Sequence, residues 1–188
     1  MSDTKRQAKI VRAFRWLHRK IAIPLLVFFF VVSVTGLLLG LKKNTGMLAP
    51  TEKGSVPGLA GWVPLDSLER IAIRAYRDSI AAEENVELDR IDIRPDKGIA
   101  KFSFKNSYHG LQIDGTTGKI LLVERRTSDL IEDIHDGSIL DNWIGTDSEQ
   151  VKVVYTTIMG LSLLLLVISG FWLWYGPKKI RRNRRYHP

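Results

Sequence analysis

The chain has 188 residues, of which 45% are hydrophobic, and it carries a formal net charge of +8 without a single cysteine. The absence of cysteine excludes disulfide bonds, thiolate metal sites and cofactors attached through thioethers. The basic residues that give a pI near 9.8 flank apolar runs instead of forming one folded face, which argues against nucleic acid as a partner.

Two long apolar runs predict two transmembrane helices. Residues 21–41 are 21 residues without a charge, and residues 153–175 are another 23. A helix rises about 1.5 Å per residue and needs ~20 apolar residues to cross the hydrocarbon. The first run exceeds the roughly 7–15 apolar residues of a secretory signal, and no small-x-small cleavage site follows it. We therefore expect an uncleaved anchor in contact with membrane lipid.

The basic residues are distributed unevenly along the chain. Residues 1–20 contain seven Lys and Arg against one acidic residue, and residues 178–188 contain six against none. Residues 42–150 contain 14 Lys and Arg against 19 Asp and Glu, a net charge of −5. The positive-inside rule then places both termini in the cytoplasm and residues 42–150 outside, which at the bacterial inner membrane is the periplasm.

The basic N-terminal stretch repeats apolar residues at three- and four-residue spacing, so we expect one helix that continues into the first span. Near the end of that span, Gly36 and Gly40 form a GxxxG pair. Such a pair lets another helix approach closely. The sequence leaves open whether that helix is the second span of the same chain or belongs to a second copy.

The middle of the chain predicts an α+β domain. After a Gly- and Pro-rich linker, apolar residues recur at helical spacing from Asp66 onward, and Asp66 is a good N-cap. Four segments rich in β-branched or aromatic residues follow, at 86–95, 98–106, 108–114 and 119–125. Phe102 and Phe104 alternate with polar neighbours, which is typical of an antiparallel sheet with one face packed on a helix and the other in water.

The last third of the chain predicts an amphipathic segment at the membrane interface and then the second span. That span ends in four aromatic residues, which is typical of an interfacial belt, and Gly176 with Pro177 predicts the end of the helix. The fold class is thus an α+β membrane protein with two transmembrane helices flanking a domain of one helix on about four antiparallel strands. Its predicted segments are a cytoplasmic N-terminus (1–20), helix 1 (21–41), a linker (42–64), the domain (65–126), the interfacial segment (127–150), helix 2 (151–176) and a basic tail (177–188).

Two of the four histidines lie at opposite membrane boundaries. His18 precedes the first apolar run by three residues, and His135 precedes the second run on the other side. Neutral imidazole is a good iron ligand, so a histidine at each face suits a transmembrane electron carrier with axially ligated haem. The alternative is that both are ordinary interfacial side chains. His109 has no evident partner, His187 lies in the tail, and no hydrolase or phosphate-loop motif is present.

One chain cannot place His18 and His135 on the same haem, because they lie at opposite faces. A homodimer removes this difficulty, since two copies of His18 would hold one haem and two copies of His135 another, with the glycine pair as a contact face. Nearby arginines could pair with the haem propionates, or they could simply be solvated charges that set the topology. These are Arg15, Arg19, Arg125 and Arg126.

Five sequence pieces, RWLHRK, VTGLLLG, YHGLQIDGTTGKIL, DLIEDIHDGS and VISGFWLWYGP, follow one another over about residues 10–180. In this combination the chain resembles the PepSY-associated transmembrane family. The most specific pieces are the turn at 114–119 and the IHDGS motif at 134–138. The resemblance implies a PepSY-like periplasmic domain at 65–126. Larger relatives with four spans look like di-haem reductases that move electrons across the inner membrane to ferric siderophores.

For this chain the resemblance implies haem b at His18 and His135, and a ferric chelate or a redox protein as the periplasmic acceptor. Because half of the relatives' spans are present, it also implies a homodimer or a larger membrane complex, acting as a ferric reductase or as an electron-transfer subunit. His135 lies in IHDG, where the family has an LHxG-like motif. Gly137 would let the backbone pass close to the cofactor, or Asp136 and Gly137 form a simple turn and His135 packs on the sheet.

Two functions without haem remain open at this point. In one, the chain is a non-catalytic accessory subunit whose PepSY domain binds a partner in a membrane complex. In the other, the PepSY domain modulates a peptidase, as its occurrence in propeptides suggests.

Overall fold

The computed structural model describes residues 3–80, 86–144 and 149–186. Two compact units are formed, one by Met1–Leu37 with Asp133–Pro188 and the other by Leu38–Glu132. The elements in chain order are α1 (Asp3–Gly40), α2 (Leu65–Ser79), β1 (Leu88–Arg94), a 3-10 turn (Pro95–Lys97), β2 (Ile99–Phe104), β3 (His109–Asp114), β4 (Ile120–Arg125), α3 (Thr127–Asp136), α4 (Ser138–Ile144) and α5 (Gln150–Tyr186). This confirms the predicted fold class, because two long apolar helices flank a four-stranded antiparallel sheet in the sequence.

The first unit is built on α1 and α5, which run antiparallel to each other. Phe14 stacks on Trp172 with ring centroids 5.7 Å apart, and Phe28 lies 6.3 Å from Tyr155. As predicted, α1 joins the basic N-terminal stretch and the first apolar run in one helix, and Pro24 lies inside it without breaking it. The start of α1 therefore lies beside the end of α5, and a later part of α1 lies beside the start of α5.

The predicted helix stop at Gly176 and Pro177 is wrong. Helix α5 continues through both residues to Tyr186. Pro177 removes a single N–H from the helical ladder, while Gly176 contacts α1: a Cβ added at Gly176 would lie 2.5 Å from a methyl group of Val11. The glycine thus serves helix packing and not a C-cap.

In the second unit the sheet order is β1-β2-β3-β4, with every neighbouring pair antiparallel. Helix α2 packs on one face, where Leu68 of the helix and Phe102 of β2 are fully buried. Burial of side chains of this size stabilises by roughly 1.5–3 kcal/mol each. The alternation predicted for β2 is confirmed, since Phe102 and Phe104 are buried while Lys101 and Ser103 lie on the more exposed face.

The start of α2 differs from the prediction. Pro64, with φ −51° and ψ 140°, takes the cap position, and its carbonyl accepts hydrogen bonds from the N–H groups of Ser67 and Leu68. Asp66 lies in the first turn instead and pairs with Arg70 at 2.9 Å. Proline fixes φ near its helical value and so sets the start of the helix before Asp66 is reached.

Part of the predicted linker is hydrogen-bonded to the sheet, and we call residues 47–58 the strap. The Glu52 N–H donates to Gln112 Oε1 at 2.9 Å, and Gln112 Nε2 donates to the Pro50 carbonyl at 2.8 Å. Ser55 donates to Asp114 Oδ2 through its N–H at 2.6 Å and through its hydroxyl at 2.5 Å. The strap therefore covers two polar side chains of β3, those of Gln112 and Asp114.

Asp114 is 1% exposed and is the main polar anchor of the strap. Burial alone would raise the pKa of its carboxyl group. The hydrogen bonds from Ser55 and from the N–H groups of Thr116 and Thr117 outweigh burial and lower the pKa to about 2. Asp114 is therefore a carboxylate at neutral pH and holds the strap and the following turn together.

Candidate functional site

His18 of α1 contacts α5 through one ring nitrogen. Its Nδ1 lies 2.8 Å from Oγ of Ser169, which is 0% exposed. The Ser169 hydroxyl carries one hydrogen and donates it to the Leu166 carbonyl at 3.1 Å. The serine oxygen can then accept from Nδ1–H of His18. In the neutral ring with this tautomer, Nε2 carries the lone pair.

His135, near the end of α3, has the same arrangement against α1. Its Nδ1 lies 2.9 Å from Oγ1 of Thr35, which is 7% exposed. The Thr35 hydroxyl donates to the Val31 carbonyl at 2.7 Å, and its oxygen can accept from Nδ1–H of the histidine. In that tautomer of the neutral ring, Nε2 of His135 likewise carries the lone pair that a metal would need.

A glycine follows each of these hydroxyl residues in the sequence and lies against the imidazole ring. A Cβ added at Gly36 would lie 3.2 Å from Cε1 of His135, and one added at Gly170 would lie 3.8 Å from Cε1 of His18. We call His18, Ser169 and Gly170 the His18 site, and His135, Thr35 and Gly36 the His135 site. A hydroxyl residue followed by glycine thus forms the wall of each.

The two sites lie far apart in the first unit. Thr35 follows His18 by 17 residues on α1, which corresponds to about 26 Å along the helix axis. Within residues 3–80, 86–144 and 149–186, no group of three or more His, Asp or Glu side chains is placed to hold a metal ion. As expected from the sequence, His18 and His135 do not converge, and each offers a single nitrogen.

The IHDGS motif forms the corner between α3 and α4. Gly137 has φ +85°, and a Cβ there would lie 2.7 Å from the Tyr155 ring. Asp136 Oδ1 accepts from the Ser138 N–H at 2.9 Å and from its hydroxyl at 2.7 Å, and Oδ2 pairs with Lys152 at 3.1 Å. Burial would raise the pKa of Asp136, but the Ser138 hydrogen bonds and Lys152 lower it.

The corner bears on whether Gly137 lets the backbone pass close to a cofactor or forms a simple turn with Asp136. Asp136 and Gly137 do form a turn, and the close approach at Gly137 is to Tyr155. The imidazole of His135 contacts Thr35 and Gly36 of α1. The turn therefore fixes the end of α3 so that His135 faces the first span.

The arginines proposed for propionates fall into two places. Arg15 and Arg19 line a groove of about 500 Å³ on the surface of α1, together with Arg12, Trp16, Lys20, Ile23 and Pro24. Neither Arg15 nor Arg19 has an ion-pair partner among the described residues, so both are available to an external anion. Arg125 and Arg126 lie in the second unit and line a cleft of the sheet domain.

The glycine pair does not act as one surface in this fold. Gly36 is covered by His135 of the same chain, whereas a Cβ at Gly40 would meet no atom within 4 Å. Within this chain Gly36 is thus covered by His135 and not by the second span. Self-association through Gly40 stays a prediction. His109 lies at the start of β3 in the second unit, and His187 lies outside the described residues.

Sequence reasoning missed the residues that orient the two histidines. In the sequence, Thr35, Ser169 and Gly170 stand only within the pieces VTGLLLG and VISGFWLWYGP that carry the family resemblance. A sequence signal existed, since the same hydroxyl–glycine pair occurs once in each apolar run near a boundary. Its meaning was hidden because the partner histidine is 100 residues away in one case and 151 in the other.

The outer surfaces of α1 and α5 are apolar over most of the two runs. Only 6% of the most apolar window of each helix is buried, and side chains such as Val27, Phe30, Leu164 and Val167 are more than half exposed. Exposed apolar helices of this length are in contact with lipid. The chain is a two-span membrane protein that carries an extramembrane α+β domain.

A family model described as the PepSY-associated TM region matches residues 1–176. The chain therefore belongs to the PepSY-associated transmembrane family, as its motifs indicated. No curated protein and no solved structure gives a significant match to it.

Proposed function

We propose that this protein is an inner-membrane b-type haem protein that passes electrons across the membrane to a periplasmic acceptor such as a ferric chelate. The observation that carries the proposal is the shared geometry of the His18 and His135 sites, where a buried hydroxyl contacts Nδ1 and leaves Nε2 as the nitrogen for a metal. Metal-binding histidines in proteins regularly donate their other N–H to a fixed acceptor, which sets the tautomer and the ring orientation.

The residues present fit this group. His18 and His135 would each supply one axial nitrogen, and Arg15 and Arg19, which have no ion pair in the described chain, would pair with propionates. Bound haem supplies a one-electron Fe(III)/Fe(II) couple. Ser169 and Thr35 would hold Nδ1 of each imidazole and fix the orientation of the ring. The spacing of about 26 Å between the sites along α1 suits the ~30 Å hydrocarbon layer of a bilayer.

The stoichiometry supports an assembly of two chains, or of one chain with a partner subunit. Each chain provides one histidine at each end of the first unit, and low-spin haem takes two axial ligands. Two chains would complete two bis-histidine sites. The charge bias supports cytoplasmic termini with residues 42–150 in the periplasm, so that the His18 site is at the donor face and the His135 site at the acceptor face.

The experiment is a dithionite-reduced minus oxidised spectrum of the full-length protein, purified in mild detergent from haem-replete cells, with haem measured per chain. We expect a sharp reduced α-band and about one haem per chain, because two chains share two sites. His18→Ala and His135→Ala should each leave about half of the haem, and the double variant none.

His109→Ala is the matched control, since it removes a histidine of the sheet domain and should leave the haem content unchanged. Full haem occupancy in the double variant would rule out both ligand assignments. A well-folded wild-type protein with no haem band would favour the accessory-subunit function, in which His18 and His135 only join helices, and co-purification of a larger complex would then identify the partner.

A further inference from the structure

The face of the sheet opposite α2 contains a cleft whose charge differs from that of its surroundings. The cleft has a volume of about 370 Å³ and lies between the strap and strands β1, β2 and β4. Three acidic side chains, Asp92, Glu124 and Asp129, line it. Six basic residues also line it, namely Lys42, Arg90, Arg94, Lys101, Arg125 and Arg126. Residues 42–150 as a whole have an excess of acidic residues, so the positive cleft is a local feature.

The acidic side chains neutralise only half of these cations. Arg94 pairs with Asp92 at 2.7 Å, Lys101 lies 3.7 Å from Glu124, and Arg126 pairs with Asp129. Glu124 also accepts a hydrogen bond from Gln112 Nε2. Arg90, Arg125 and Lys42 have no ion pair among the described residues. Arg125 alternates with Glu124 on β4 and points to the other face of the sheet, so the cleft carries two uncompensated positive charges, those of Arg90 and Lys42.

The floor of the cleft places two further cations in a partly desolvated position. The side chains of Lys101 and Arg126 are only 18% and 14% exposed. Arg126 lies across Gly110 of β3, where an added Cβ would be 3.3 Å from Arg126 Cδ and 3.2 Å from the Phe102 carbonyl. Glycine at this position lets the arginine lie flat on the sheet. Electrostatic attraction is stronger at such a site than in bulk water.

From these observations we propose that the cleft binds a small anion with several carboxylate or phosphate groups. Unpaired arginines bind such groups through two parallel hydrogen bonds, and the volume lies in the range of small-molecule sites. The same chemistry is present in a soluble polycarboxylate, in inorganic phosphate and in the headgroup of an anionic lipid. The site is formed within the second unit and does not depend on haem.

The test uses the full-length protein in an uncharged detergent at low ionic strength, with calorimetric titration of citrate and of inorganic phosphate. We expect saturable binding that weakens as salt is added. The double variant Lys42→Gln with Arg90→Gln should weaken binding by roughly 10-fold or more, because charge-assisted hydrogen bonds are lost. Arg74→Gln with Lys119→Gln removes the same charge from exposed positions outside the cleft and should leave the affinity within about twofold.

Reconstitution distinguishes the two sources of the anion. Binding of citrate is compared in nanodiscs of phosphatidylcholine alone and of phosphatidylcholine with phosphatidylglycerol. Competition by phosphatidylglycerol that is lost in the cleft variant assigns the site to a lipid headgroup, and unchanged citrate binding assigns it to a soluble anion. The proposal is overturned if folded protein binds neither citrate nor phosphate saturably, or if both double variants weaken binding equally.

Discussion

Thr35 Oγ1 lies 2.9 Å from Nδ1 of His135, although 100 residues separate the two in the chain. The threonine hydroxyl gives its own hydrogen to the Val31 carbonyl, which leaves its oxygen to accept from the histidine N–H. Ser169 and His18 form the same arrangement of hydrogen bonds at the second site. Both histidines are thus held by an acceptor inside an apolar helix, where a competing water is costly to place.

Thr35→Val should weaken the proposed haem at the His135 site. Valine has the same shape but leaves Nδ1–H without an acceptor, and loss of such an outer partner typically costs 10–100-fold in affinity. The measurement is haem titration with spectroelectrochemical determination of the midpoint potential. Thr35→Ser keeps the oxygen and serves as the control. Wild-type affinity and potential in Thr35→Val would show that the hydroxyl has no role in orienting the histidine.

Ser169→Ala should affect only the His18 site. Because the two sites are about 26 Å apart on α1, the effects of Ser169→Ala and Thr35→Val should add in the double variant. A check that needs no haem is available from the ¹⁵N shifts of the imidazoles. In the haem-free protein we expect His18 with a protonated Nδ1 and a bare Nε2, and Ser169→Ala should remove this preference. Strong non-additivity would indicate that the sites are coupled.

Gly137→Ala should destabilise the first unit. Alanine is strained at φ +85°, which costs about 1–2 kcal/mol, and its Cβ would also press on the Tyr155 ring. Thermal unfolding in detergent measures the loss. Gly160→Ala is the matched control, because a Cβ at Gly160 of α5 meets no atom within 4 Å and alanine is the better helix former. Equal unfolding midpoints for the two variants would contradict the strain at the corner.

The strap should be released at acid pH. Asp114 has a folded-state pKa of about 2 against an ordinary value of 3.8. Since the folded pKa is the lower one, the carboxylate stabilises fully above about pH 4, and this stabilisation is lost as pH falls through about 2. Its size at neutral pH is about 2 kcal/mol.

Asp114→Asn should therefore lower the stability of the full-length protein at pH 7, and its difference from wild type should shrink between pH 4 and pH 2. The measurement is the thermal unfolding midpoint across this pH range in an acid-stable detergent. Asp78→Asn changes an exposed carboxylate on α2 and should leave the midpoint nearly unchanged. A constant gap between Asp114→Asn and wild type at all pH values would argue against the depressed pKa.

The regular elements could be predicted because their signals are local. Phe102 and Phe104 alternate with polar residues within one strand, and the apolar runs are long enough to exclude other structures. Gly176 and Pro177 gave the wrong helix end for the same reason: the local signal is a stop, but Val11, 165 residues earlier in the chain, packs on the glycine and the helix continues. Local pattern alone carries no information about such a contact.

In the candidate site, too, some residues could be predicted from local sequence and others depend on contacts between distant parts of the chain. His18 and His135 could be predicted as candidates from the sequence, because one histidine lies at each membrane boundary and neutral imidazole is a good iron ligand. Thr35 and Ser169 could not be assigned a role, since a hydroxyl in a span usually bonds its own helix, and both of these also do so. Only the fold shows that each hydroxyl oxygen has a second partner.

The strands lie in the sheet in the same order as in the chain, and this affects how the domain folds during its synthesis. Each strand pairs with the next one along the chain, and the buried residues of the core lie between Leu68 and Ile113. Such local topology gives a low contact order and rapid folding, and domains fold as units while translation proceeds. The sheet domain can thus complete its core before α5 leaves the ribosome. Helix α5 then packs against α1, which was synthesised first.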